Sequence, residues 1–227
     1  MLPVIILAGG LGSRLGFLTK NLPKVLLPIN KKPFLQWQLE LLERNGITHV
    51  TLCLGHLSDK VVDFVENDYK GAISVDYCFD GRHGLGTGGA VKQASAGIVT
   101  PFFILYGDSY LNIDYERVSS SYLERHGPLM TIIENKNKLD KSNVFKENGQ
   151  FFYQKHEPPK SARFIDYGLG IFEAMHFNEF SGIFDLSIVQ SHFSKKSSMQ
   201  FFKVNRRFYE VGSLLGVSDL EAYLKVD

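Results

Sequence analysis

Read for its apolar and polar positions, the chain opens on an unbroken apolar run, Val4–Leu7, of the kind that fills a strand buried on both faces. Phe34–Arg44 then carries apolar residues at 34, 35, 39, 41 and 42 and stops at Asn45-Gly46, which predicts a helix with a glycine just past its end. His49–Leu54 predicts a second strand. Ser58 is placed to cap a helix with Val61, Val62, Phe64 and Val65 on its inner face, and residues 73–79 alternate as a third strand. A glycine-rich turn at 84–90 opens a helix through Ala96, and residues 101–106 form a fourth apolar strand ending in Gly107-Asp108. This order predicts an α/β fold with a Rossmann-like, mainly parallel (mixed) sheet flanked by helices.

Beyond Asp114 the pattern changes. A helix is expected over 115–125, strands near 129–134, 142–146, 151–155, 163–172 and 199–204, a helix over 185–193, and a last helix over 219–224 capped by Ser218. Phe151-Phe152-Tyr153 and Phe201-Phe202 alternate as core positions of strands. The second half reads as a smaller α+β lobe laid over the strand ends. No repeat or linker interrupts it, so residues 1–227 are expected to form one domain with halves of about 1–114 and about 115–227.

Charge narrows the partners. A formal net charge of +1 gives no global field to attract nucleic acid or a membrane surface, so an anionic substrate has to be captured locally. Cys53 and Cys78 fall inside predicted strands without metal spacing and read as buried free thiols, which suits the cytoplasm. There is no leader pattern and no apolar run of membrane-spanning length. His56, His83 and His126 sit beside glycines or in polar turns and read as solvated.

The stretch with chemistry in it is the turn after Val4–Leu7. Its glycines let backbone amides approach an anion, while Arg14 and, ten residues on, Lys24 add two positive charges. A triphosphate site follows from this. It is not a Walker A loop, since no glycine precedes Lys-Ser or Lys-Thr, and it is not a dinucleotide fingerprint. Leu15 stands where the third glycine belongs, and Leu54-Gly55-His56 offer no acid for a ribose. Both glycine turns and Asp108 fall at the carboxyl edge of the strands, where such sheets bind ligands.

The run Leu7-Ala8-Gly9-Gly10-Leu11-Gly12-Ser13-Arg14-Leu15 followed by Lys24, Leu27-Pro28-Ile29 and Lys32-Pro33 resembles the signature of the sugar-1-phosphate nucleotidyltransferases. Gly86-Thr87-Gly88-Gly89-Ala90, Gly107-Asp108, Gln154-Lys155, Gly168 and Tyr209-Glu210-Val211-Gly212-Ser213 continue it in order. The likeness is to short members that act on heptose 1-phosphate with GTP or on N-acetylmuramate 1-phosphate with UTP. It implies the nucleotide-diphospho-sugar transferase fold, with the second half as a sugar-binding lobe. It also implies attack of a sugar phosphate oxygen on the α-phosphorus of an NTP, with Mg²⁺ as cofactor and pyrophosphate as leaving group. By family position Leu7, Ala8, Gly9, Gly10 and Gly12 hold base and phosphates, with Gly86, Thr87 and Gly88 near the base. Arg14 clamps the outer phosphates, Lys24 sits between the two substrates, and Asp108 binds the metal; these three are the catalytic group. Glu210, where relatives usually have Asp, is the second metal carboxylate. Asn143, Lys155, Asp166 and Gly168 face the sugar, although Gln154 and Asp166-Tyr167 depart from the family pattern. The partners implied are small molecules, with no nucleic acid or membrane, in a monomer or homodimer. A uridylyltransferase or a non-catalytic nucleotide-sugar binder is the alternative. A glycosyltransferase is disfavoured, because Asp108-Ser109-Tyr110 is not an Asp-x-Asp pair.

Overall fold

A computed structural model describes residues 1–10, 12–81, 84–124, 126–136 and 138–225, the side chains of Ser13 and Arg14 excepted. The first half contributes β1 (Val4–Leu7), a small hairpin of β2 (Pro28–Ile29) and β3 (Lys32–Pro33), α1 (Phe34–Arg44), β4 (His49–Leu54), α2 (Ser58–Asp63), β5 (Ser74–Phe79), α3 (Gly86–Ala94) and β6 (Phe102–Tyr106). The remainder is β7 (Ser109–Tyr110), α4 (Tyr115–Ser120), β8 (Leu129–Glu134), β9 (Val144–Glu147), β10 (Gln150–Tyr153), β11 (Phe164–Phe172), α5 (Leu186–Lys195), β12 (Gln200–Val204), β13 (Tyr209–Glu210) and α6 (Leu214–Tyr223).

Successive residues of a strand face opposite sides, so Val4 and Ile6 enter one core layer with Leu35, Leu39, Leu52 and Phe103, while Ile5 enters another with Val91, Phe102 and Val189. That double burial is why β1 and β6 read as continuous apolar runs, while β5 alternates. β6, β1, β4 and β5 are parallel neighbours, with Ile6 opposite both Leu52 and Leu105. β11 joins the halves: it runs antiparallel to β6 and carries β8 and β9 beyond it, giving one mixed sheet of nine strands. The α/β expectation is borne out. Cys53 and Cys78 lie opposite each other on β4 and β5 as buried free thiols.

Several element boundaries differ from expectation by a few residues, and three of them show a local reason. α6 starts at Leu214, because the hydroxyl of Ser213 rather than Ser218 accepts from an opening amide, that of Gly216, at 3.1 Å. Leu57, in left-handed backbone, precedes α2, and no side-chain cap forms there. α4 ends at Ser120, five residues early, where the Gln200 side chain takes both the N–H and the C=O of Leu123. A strand contact thus replaces the next helical turn.

One irregularity matters for the site. The pairing of β11 with β8 shifts register between Asp166 and Gly170. Gly168 sits inside this bulge at φ +95°, a conformation that side chains resist. The bulge turns Asp166 and Gly168 toward the carboxyl edge of β6.

Candidate active site

Two hollows open side by side at the carboxyl ends of the parallel strands. The first, about 330 Å³, is lined by Leu7, Ala8, Gly9 and Gly10, by Gly86 and Thr87, and by Lys24, Asp80 and Asp108. Its floor is held by the sheet: Ala8 donates to the carbonyl of Cys53 at 2.9 Å, and Gly107 to that of Leu7 at 3.0 Å. A Cβ on Gly10 would meet nothing within 4 Å, so this part of the turn is open space. Gly12 lines neither hollow. At φ +64° it closes the turn, its carbonyl accepting from Leu15 N–H and the Thr19 hydroxyl, each at 2.9 Å. The side chain of Arg14, like residue Leu11, lies outside the described residues, as does His83.

Asp80 was not among the candidates. It follows β5 at the same edge, its Oδ2 beside Gly9 and Gly55, and its Oδ1 is buried without a hydrogen-bond partner among the described residues. Burial raises its carboxyl above the usual range. The strand-edge reasoning that selects Asp108 would also have selected it.

The second glycine turn behaves differently from its expected role. The amides of Gly88, placed near the base by family position, and of Gly89 donate to the Phe184 carbonyl at 2.9 and 3.2 Å. A Cβ on Gly88 would lie 2.5 Å from the Phe184 ring, so this glycine makes room for packing and lines neither hollow. Thr87 still faces both cavities, and its hydroxyl accepts from Leu186 N–H at 2.8 Å at the start of α5.

The second hollow, about 660 Å³, takes in Asn143, Lys155, Asp166, Gly168 and Glu210, and it shares Thr87, Tyr106, Asp108 and Asp185 with the first. At this common wall the Lys24 ammonium stands 2.6 Å from Asp108 Oδ2, the two side chains 17% and 20% exposed. The carbonyl of Asp108 accepts from Val211 N–H at 2.9 Å, and Glu210 pairs with Ser109 across β13 and β7. The two carboxylate residues therefore sit on adjacent backbone and line one cavity. Among the described residues no cluster of three or more metal-ligating side chains occurs. Two carboxylates lining one cavity nevertheless fit Mg²⁺, which takes one or two carboxylates and fills its remaining positions with other oxygens.

On the far side of the second hollow Asp166 Oδ1 accepts from Gly168 N–H at 3.0 Å, Oδ2 from Gln190 Nε2 at 3.2 Å, and its own N–H donates to Asn143 Oδ1 at 2.9 Å. Burial pushes the Asp166 carboxyl up to about 6, against the pull of those two donors and of the Lys155 charge. Gln154 is turned to its own loop, donating to the carbonyls of His156 and Glu157 at 2.9 and 2.8 Å. A roomier depression of about 770 Å³, near Met1, Pro3 and His49, lies at the opposite, amino edge of the strands and contains none of the candidate residues. His56 and His126 are exposed, while Phe151 and Phe201 pack against the buried Tyr153 and Met130.

Residues 3–143 match the nucleotidyl transferase family model. Among curated proteins, the D-glycero-alpha-D-manno-heptose 1-phosphate guanylyltransferase of Campylobacter jejuni is 35% identical over 114 residues, which is 50% of this chain and 51% of that protein. The protein of the same name from Aneurinibacillus thermoaerophilus is 37% identical over 123 residues, 54% of this chain and 51% of its own length. The chain thus spans about half the length of these curated relatives. In fold it is similar to HddC from Yersinia pseudotuberculosis, with a TM-score of 0.82 at 24% identity over 99% of this chain and 100% of that one. The same protein has also been solved complexed with GMP-PN. The matched segment includes the first glycine turn, Lys24, Asp80 and Asp108, and on that ground the chain belongs to the nucleotidyl transferase family.

Proposed function

We propose that the protein transfers a guanylyl group from GTP to a sugar 1-phosphate and releases pyrophosphate. The observation that carries this reading is the wall common to the two hollows, where Asp108 faces both and Lys24, lining the first, reaches Asp108 at 2.6 Å. In such a site a phosphate oxygen of the sugar attacks the α-phosphorus, the bond to the bridging oxygen of the β-phosphate breaks, and pyrophosphate leaves. No covalent enzyme intermediate is required, so catalysis comes from alignment and from quenching charge. Lys24, released from Asp108, would lie between the two phosphorylated reactants, with Arg14 on the outer phosphates. Asp108 and Glu210 would hold Mg²⁺, which when bound neutralises phosphate charge. Leu7, Ala8, Gly9 and Gly10 supply backbone around the nucleotide, while Asn143, Lys155, Asp166 and Gly168 face the sugar.

The choice of base rests on Asp80. Guanine presents two adjacent donors, N1–H and the 2-amino group, to which a carboxylate with an unpartnered oxygen is complementary. Uracil presents one N–H flanked by carbonyl oxygens that repel such a group. The names of the curated relatives and the GMP-PN complex of the structural neighbour support the same choice. We place the activity in the cytoplasm, in a monomer or homodimer; among the described residues no helix is long and apolar enough to cross a membrane.

Pyrophosphate release with each of the four NTPs and neutral hexose 1-phosphates tests the reading. GTP-dependent release is expected. Preference for UTP would refute the base assignment alone. Tight nucleotide-sugar binding without turnover for any pair would make the protein a binder rather than an enzyme.

A further inference from the structure

Gln190 lies in the middle of α5 and is 4% exposed. Its Nε2 donates to Asp166 Oδ2 at 3.2 Å, it also meets the phenol of Tyr106, and its Oε1 is buried with no partner among the described residues. An orphaned amide oxygen in a core costs about 1–3 kcal/mol, which a leucine or methionine at this position would avoid. What the amide provides in return is its grip on Asp166.

We propose that Gln190 is a positioning residue for the second substrate. It aims the Asp166 carboxylate into the 660 Å³ hollow as an acceptor of sugar hydroxyls, so that the pocket selects a neutral, polyhydroxylated sugar 1-phosphate over one bearing its own carboxylate. This rests on the sugar-1-phosphate reading above. Each oxygen of Asp166 holds one protein donor, Gly168 N–H or Gln190 Nε2, and keeps lone pairs for a hydroxyl. An ionised carboxylate accepts and cannot donate, so it welcomes hydroxyls and repels a second carboxylate. The charged and titratable groups around it are Lys155 beyond β10, Tyr153 on β10 and Tyr106 on β6, with Asp185 behind Tyr153 and Asp108 behind Tyr106. Lys138, Asp140, Glu210 and an Arg207–Asp219 pair at 2.9 Å line the rest of the hollow. Lys155 is matched by Asp166 itself, which leaves it poorly placed to welcome an acidic sugar.

The test uses the full chain with GTP and mannose 1-phosphate. Gln190→Met should raise KM for the sugar phosphate about tenfold, the effect of losing one hydrogen bond to a charged group, with kcat and GTP affinity within about twofold. The acid limb of kcat/KM should move to higher pH, because the charged form of Asp166 has lost a donor. Gln190→Glu keeps the shape and puts a second acid beside the first, so its limb should move further. A folded variant with wild-type KM and an unmoved limb overturns the assignment of Gln190. Equal efficiency of wild type with glucuronic acid 1-phosphate overturns the selection for neutral sugars. If wild type binds GTP yet turns over no sugar phosphate, the proposed function fails instead. The Gln190 contact is then read from pH-dependent unfolding, where identical curves for wild type and Gln190→Met would overturn it.

Discussion

At Gly10 the missing side chain leaves open space in the cavity beyond the end of β1, whereas at Gly86 and Gly88 the corresponding space is taken by Phe184. The first turn keeps room for a ligand. The second uses its glycines and two of its amides to seat the segment that begins α5, and so reaches the site through Gly86 and Thr87, and through Gln190 about one turn into that helix. Glycine richness alone does not distinguish a ligand turn from a packing turn; what stands opposite the missing Cβ does.

The sharpest way to break this contrast is at the shared wall. Lys24→Ala should lower kcat about 100- to 1,000-fold while the melting temperature stays near wild type, as expected for losing one positioned charge donor. Unchanged turnover in a pyrophosphate assay would remove Lys24 from the chemistry. Next comes Gly88→Ala, whose methyl would press on the Phe184 ring at 2.5 Å. A loss of about 3 kcal/mol in urea unfolding is expected, with GTP affinity of the folded protein kept. Weakened GTP binding at full stability would show that the second turn is a ligand turn after all.

Asp166→Asn probes what α5 delivers. The Asp166 carboxyl titrates near 6 in the folded protein, above its unfolded value of about 3.9, so its ionisation weakens folding as pH rises through that window and the full cost is present above it. The asparagine variant should therefore be more stable at pH 7.5, by about 2 kcal/mol, and indistinguishable below about pH 4. A difference that persists in acid would show that packing, not charge, sets it. Asp80→Asn should cut the preference for GTP over UTP about tenfold, read from kcat/KM with each nucleotide, since an amide offers guanine one acceptor fewer. The smallest effect is reserved for Gly10→Ala, which should cost under about 1 kcal/mol of stability and show chiefly as weaker GTP binding by calorimetry.

The contrast also explains what the sequence made legible. β1 and β6 could be read because strands covered on both faces need unbroken apolar runs, β5 by its alternation, Asp108 because it follows one of those runs, and Lys24 by its ten-residue step from Arg14. Asp80 was readable by the same placement and was passed over. The grip of Gln190 on Asp166 spans two elements with no periodic signature, and a glutamine on a helix reads as surface. The Ser213 cap was hidden because the apolar residues of α6, Leu214 and Leu215 among them, are spread around its axis and partly exposed. Nothing local marks Phe184 as the residue that fills the second turn.

A final consequence comes from the wall that the two hollows have in common. A molecule that reaches across it, with its base in one hollow and its sugar in the other, loses translational and rotational freedom once, where two separate ligands lose it twice. On the proposed reaction the joined product would have that shape, so it is expected to leave more slowly than either substrate, and analogues that tether the two pieces with a linker of matching span are the scaffold from which to build inhibitors.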